Sequence, residues 1–117
     1  MRIFDGPDMG HHVLLNLHEC GRADRLEYLD PFDSFISDLL RRSGAEVVNT
    51  TSYQFEPCGY TLLSLLTTSH FSIHTWPEHR SAAVDVFTCG EVDTMRIVSG
   101  LIEFFDCVHH STRDVLR

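Results

Sequence analysis

Apolar residues recur along this chain at two spacings, one suited to strands and one to helices. In HHVLLNLHEC, residues 11–20, Val13, Leu15 and Leu17 fall on one face of an extended segment, which predicts a strand. Residues 30–44 change period. Asp30 is placed to cap a helix, Pro31 suits its first position, and Asp33 falls in its first turn. Phe32, Phe35, Ile36, Leu39 and Leu40 then repeat at helical spacing. Arg41 and Arg42 stand where the helix dipole favours cations, and Gly44 stops the helix. The β-branched run 45–55 predicts a strand, EPCG (56–59) a turn, and YTLLSLLT (60–67) a strand. A hairpin follows, with strands at 70–76 and 81–88 around PEHR (77–80). A last helix starts at Asp93 with Met95, Val98, Leu101, Ile102 and Phe105 as its apolar stripe, and CVHHSTRDVLR adds a short strand that frays. Residues 1–10 read as an irregular arm.

The order strand, helix, strands, helix predicts an α+β two-layer sandwich in one domain, residues 1–117. A mostly antiparallel sheet carries two helices on one face. YTLLSLLT is apolar on both faces, so the uncovered side of the sheet calls for a partner, and a homodimer is expected.

Composition narrows the setting. The chain has 117 residues, 43% of them hydrophobic and 22% charged, as in ordinary globular domains. A net charge of −8 argues against nucleic acid or an anionic membrane as partner, since both are held by basic patches. No apolar run approaches the roughly 20 residues of a membrane span. MRIFDGPDMG lacks the apolar stretch of a signal peptide, so the cytoplasm is the expected compartment. Cys20, Cys58, Cys89 and Cys107 are then expected as thiols; their irregular spacing suggests neither a disulfide framework nor a zinc knuckle.

The chemistry concentrates in TTSHFSIHTWPEHRSAAVDVFTCG, residues 67–90. His70 and His74 have the spacing of a helical metal pair, but on a strand they stand roughly 13 Å apart, too far to share one ion. Ser69-His70 with Cys89 is a candidate nucleophile set, with Cys89 just ahead of a helix N-terminus; a small buried hydrophobe is the other reading of Cys89. Counting back from the turn at 77–80 puts Cys89 opposite Thr68 or Ser69. His74 is an odd number of residues from Ser69, so an unbroken strand sends the two to opposite faces, and only a bend or bulge unites them. His11, His12, His18, His79, His109 and His110 read as exposed or strand-end residues.

These residues resemble the short prokaryotic, pyruvoyl-dependent S-adenosylmethionine decarboxylases. That family's pattern, S-H-x-x-I-H-[ST]-[WF]-P-E followed by A-x-x-D-x-[FY]-T-C-G, is matched without gaps by Ser69, His70, Ile73, His74, Thr75, Trp76, Pro77 and Glu78, then Asp85, Phe87, Thr88, Cys89 and Gly90. Weaker similarity runs through SGAEV (43–47), FEPCG (55–59) and residues 11–20. The resemblance implies a proenzyme that cuts itself between Thr68 and Ser69, turning Ser69 into a pyruvoyl group that binds the substrate amine as a Schiff base. It implies processing help from His74 and from the Thr61 hydroxyl, and a proton donor in Cys89. It further implies Phe55 stacked on adenine and Glu78 on the ribose hydroxyls of a small amino-acid substrate. The pattern is broken at Thr68, where the family usually has Glu, and at Leu62, where it has a small residue. Ornithine or arginine as substrate for the same chemistry is the first alternative. An uncleaved, silent homologue acting as a binding partner is the second.

Overall fold

The computed structural model describes residues 8–117; the arm expected at 1–10 lies mostly outside them. Six strands form one sheet: β1 (His11–Cys20), β2 (Val47–Gln54), β3 (Tyr60–Leu66), β4 (His70–Trp76), β5 (Ser81–Thr88) and β6 (Cys107–Leu116). Two helices, α1 (Leu29–Arg42) and α2 (Thr94–Phe105), complete the domain, with single 3-10 turns at Ala23–Leu26 and Pro77–His79. The strand order is β2-β3-β4-β5-β1-β6, and every neighbouring pair is antiparallel. Consecutive hairpins build β2 to β5; β1 then pairs with β5 on one side and β6 on the other.

Alternation decides which side of the sheet is buried. Val13, Leu15 and Leu17 of β1, Tyr60, Leu62 and Leu66 of β3, Phe71 and Ile73 of β4, and Ala82, Val84 and Val86 of β5 are buried beneath the helices. From α1, Phe32, Ile36, Leu39 and Leu40 meet them. The Phe32 ring lies against Tyr60, Phe71, Phe104 and Phe105 at centroid distances of 5.5, 6.5, 5.8 and 5.5 Å. This aromatic knot joins both helices to the middle of the sheet. Burying each ring withdraws about 150–250 Å² from water, so the knot supplies a large share of the driving force.

Helix ends follow the local chemistry. Asp30 is extended (φ −84°, ψ 125°), so regular turns of α1 begin at Pro31. At its far end Gly44 adopts φ +97°, a conformation that costs a side-chain-bearing residue dearly. In α2 the Asp93 carboxylate caps the first turn by accepting from the Arg96 amide at 3.1 Å.

Two expectations need correction, and a third, the strand-end position of His12, gains a partner. The stripe of α2 is Ile97, Val98, Leu101, Phe104 and Phe105; Met95 is 67% exposed because the first turn overruns the core. β6 is a ten-residue strand paired with β1 along its length, although its side chains are almost all exposed. Its order comes from backbone pairing and owes little to burial. His12 is half-buried beside Asp85, with Nε2···Oδ1 at 3.0 Å.

Among the described residues, no helix covers the second face of the sheet. Leu63 and Leu65 of β3 are 46% and 55% exposed there, and Tyr53, Trp76 and Val115 also remain open. Among the described residues no helix is long and apolar enough to cross a membrane.

Candidate active site

The residues singled out from the sequence fall into two groups at opposite ends of the central strands. The first group sits where β4 begins and β5 ends. β4 and β5 pair His70 with Phe87, so the next rungs bring Ser69 and Thr68 alongside Thr88 and Cys89. Ser69 Oγ lies 3.5 Å from Cys89 Sγ, and the Cys89 thiol donates to the Thr68 carbonyl oxygen at 3.4 Å. The Thr68 hydroxyl is 3.4 Å from Ser69 Oγ. The hairpin count from the sequence therefore holds to within its one-residue error.

Local structure fixes this turn. The Leu66 amide donates to the Ser69 carbonyl at 3.0 Å, and the Thr67 amide to the Glu46 carbonyl at 3.1 Å. Thr88, next to Cys89, is buried and shares a 3.0 Å hydroxyl contact with Thr94 at the start of α2. Gly90 then turns the chain at φ +75°, where an L side chain is strained. The Thr68 hydroxyl, and secondarily that of Ser69, favours the thiolate and holds the Cys89 thiol below its ordinary pKa. A cavity of about 370 Å³ opens here, bordered by Thr68, Ser69, Cys89, Glu46 and Glu91.

The second group surrounds the β2–β3 and β4–β5 turns. Thr61 and His74 are cross-strand partners, with Thr61 Oγ1 3.0 Å from His74 Nδ1. Phe55, 47% exposed, packs edge-on against Tyr53 with centroids 4.8 Å apart. Glu78 is exposed in the 3-10 turn beyond β4. Gly59 approaches Pro77, so the two turns lie together.

His74 and Ser69 do not meet. β4 keeps unbroken register with both neighbours, so neither a bend nor a bulge reverses its parity. Ser69 lies one residue ahead of β4, and five residues of extended chain separate the two by roughly 16 Å. His74 stands on the uncovered face of the sheet, whereas Ser69 shares the parity of buried Phe71 and Ile73. His70 also lies on the uncovered face, its ring 5.7 Å from Phe87 and 6.0 Å from His12.

Comparison with known proteins decides what this arrangement belongs to. The family model described as S-adenosylmethionine decarboxylase matches residues 11–117. An S-adenosylmethionine decarboxylase proenzyme from Synechococcus sp. (strain WH7803) is 40% identical over 111 residues, 93% of this chain and 85% of the relative. One from Thermodesulfovibrio yellowstonii is 35% identical over 100 residues, 85% of this chain and 73% of the relative. The crystal structure of the adenosylmethionine decarboxylase from Aquifex aeolicus VF5 has a TM-score of 0.87 at 29% identity, covering 96% of this chain and 92% of that one. The chain belongs to the S-adenosylmethionine decarboxylase family.

Its two breaks from the decarboxylase pattern have different consequences. Leu62 is fully buried on the helix side and fills core. Thr68 is part of the Ser69–Cys89 cluster itself, and its shorter side chain puts a hydroxyl beside Ser69. Thr75 carries more of the decarboxylase framework than its sequence suggested. It is buried, donates to the Leu26 carbonyl at 2.8 Å and accepts from the Tyr60 amide at 2.9 Å. Its inward position in the alternation of β4 is the signal that marks it.

Proposed function

We propose that this chain is the proenzyme of a pyruvoyl-dependent S-adenosylmethionine decarboxylase of the cytoplasm, serving polyamine and specifically spermidine synthesis, and that it cleaves itself between Thr68 and Ser69. The observation that carries this reading is Cys89 Sγ standing 3.5 Å from Ser69 Oγ and 3.4 Å from the Thr68 carbonyl oxygen, so that one thiol touches both partners of the scissile bond. A serine beside its own preceding carbonyl can attack it through a five-membered ring. The Cys89 thiol donates to the oxygen on which negative charge then develops. Collapse breaks the C–N bond and leaves an ester between Thr68 and the Ser69 side chain. A base next removes the Ser69 Cα proton, β-elimination releases the Thr68 carboxylate, and water displaces the dehydroalanine nitrogen as ammonia.

The residues fit a pyruvoyl group at 69. The serine precursor borders a cavity and has a thiol beside it. Such a group supplies an electrophilic carbonyl and an electron sink for loss of carbon dioxide from an amino acid. Cys89 holds the proton for return to the substrate carbon. Phe55 offers a flat face to a nucleobase, and Glu78 offers acceptors to a ribose diol.

The separation of His74 from Ser69 supports a homodimer with shared sites. The uncovered face, with Leu63, Leu65 and Trp76 exposed, is the surface for a second copy. A two-fold axis running across the strands sets the Thr61–His74 end of one sheet over the Ser69 end of the other. The partner's His74 then serves as the processing base, and the partner's Phe55 and Glu78 close the substrate pocket. Radiolabelled carbon dioxide release tests the function: S-adenosylmethionine, ornithine and arginine are offered separately to the matured protein. Turnover of S-adenosylmethionine supports this reading, and turnover of either amino acid alone transfers the chemistry to that substrate.

A further inference from the structure

Decarboxylation has no use for the two thiols at the joint of β1 and β6. Cys20 ends β1 and is fully buried; Cys107 opens β6 and is half-buried. They are register partners, and their sulfurs stand 3.1 Å apart. Directly opposed residues of antiparallel strands have Cα atoms about 4.5–5.5 Å apart, within the span a disulfide accepts. Arg80 is fastened beside them. Its Nε donates to the Cys20 carbonyl at 3.1 Å, and its own carbonyl accepts from the Cys20 amide at 3.0 Å.

This setting activates the pair. Once one proton leaves, the remaining thiolate accepts the neighbouring S–H and feels the guanidinium, so the first proton comes off below the ordinary thiol range. The second is held above that range by the same hydrogen bond and by burial. A cavity of about 390 Å³ lies beside the joint, bordered by the chain neighbours Glu19, Gly21 and Val108 with His79 and Arg80, and Cys107 is the thiol of the pair that keeps exposed surface.

We propose that Cys20 and Cys107 are a redox-modification site, oxidised to a reversible disulfide by a small-molecule disulfide of the glutathione type. The thiolate attacks one sulfur of the oxidant, forming a mixed disulfide and releasing one thiolate. The second protein thiol loses its proton and attacks the protein sulfur of the mixed disulfide, releasing the other. Two protein thiols are oxidised and one disulfide is reduced to two thiols. The bond clips edge strand β6 to β1. It has a second consequence, which rests on the self-cleavage reading. Cys20 belongs to the fragment 1–68 and Cys107 to the fragment 69–117, so the disulfide ties the two products together covalently.

The test separates these two levels. The Ser69→Ala chain, which cannot mature, is incubated with oxidised glutathione and peptide-mapped without reduction. We expect Cys20 and Cys107 peptides joined, with the chain about 2 Da lighter and restored by dithiothreitol. Closing a separation of 87 residues should raise Tm by about 10–20 °C, and Cys107→Ser should abolish the rise. A stable glutathione adduct on Cys107 alone, or two unmodified thiols, overturns the proposal. For the matured wild type, denaturing electrophoresis without reductant should show the fragments joined and with reductant apart. Separation under both conditions after oxidation overturns the tie between fragments, while the result with Ser69→Ala stands independently.

Discussion

Replacing Thr75 with Val keeps the shape of the side chain and removes one hydroxyl. That hydroxyl donates to the Leu26 carbonyl at 2.8 Å and accepts from the amide of Tyr60, a residue with no exposed surface. Valine leaves no cavity, so the loss is polar. A buried group deprived of its partner costs about 1–3 kcal/mol. Two such groups set a range of about 2–6 kcal/mol, and a value near 3 is expected because the Leu26 carbonyl sits in a turn that can relax. For a domain of this size that lowers Tm by about 12 °C. Thr75→Ser keeps both hydrogen bonds and loses one methyl group, at about 1 kcal/mol. Thermal unfolding by circular dichroism, with both variants made in a Ser69→Ala background, isolates folding from maturation. A drop of less than about 3 °C for Thr75→Val, or an equal drop for the serine variant, would refute the assignment of Thr75 as the polar link between β3, β4 and the 3-10 turn.

Other predictions concern the site. Co-expressed Ser69→Ala and His74→Ala chains, each expected to stay uncleaved alone, should yield cleaved chains together, because mixed dimers pair an intact Ser69 with the partner's His74; continued absence of cleavage in mixed dimers places the base within one chain. In the uncleaved protein, Cys89 alkylation by iodoacetamide should rise with pH around a midpoint below the ordinary thiol value of about 8.5, and Thr68→Val should move that midpoint up by removing its main cause. Phe55→Ala should raise KM for S-adenosylmethionine by about tenfold, as loss of one base–aromatic stack predicts, with a smaller effect on kcat.

The legible parts of this protein were those governed by local period. The 70–76 and 81–88 strands and their turn follow from alternation and Pro77, and antiparallel counting alone brought Cys89 to Thr68. Parity likewise sent His74 and Ser69 to opposite faces. The phase of α2 is masked in the sequence because Met95 is apolar yet lies in a first turn beyond the core. The full length of β6 is not legible because a strand held by backbone pairing, with exposed side chains, leaves little hydrophobic signature. The approach of Cys20 to Cys107 depends on β1 lying between β5 and β6. No local pattern encodes that strand order. Thr75 was visible as one position of a motif; its two hydrogen bonds needed the 3-10 turn in place.

Denaturing mass spectrometry of the purified protein and of its Ser69→Ala variant tests self-cleavage most directly. The wild type should resolve into residues 1–68, ending in a free Thr68 carboxylate, and residues 69–117, carrying a pyruvoyl group and resistant to Edman degradation. Ser69→Ala should remain one chain. A wild type that stays intact after prolonged incubation, indistinguishable from Ser69→Ala, would contradict the account.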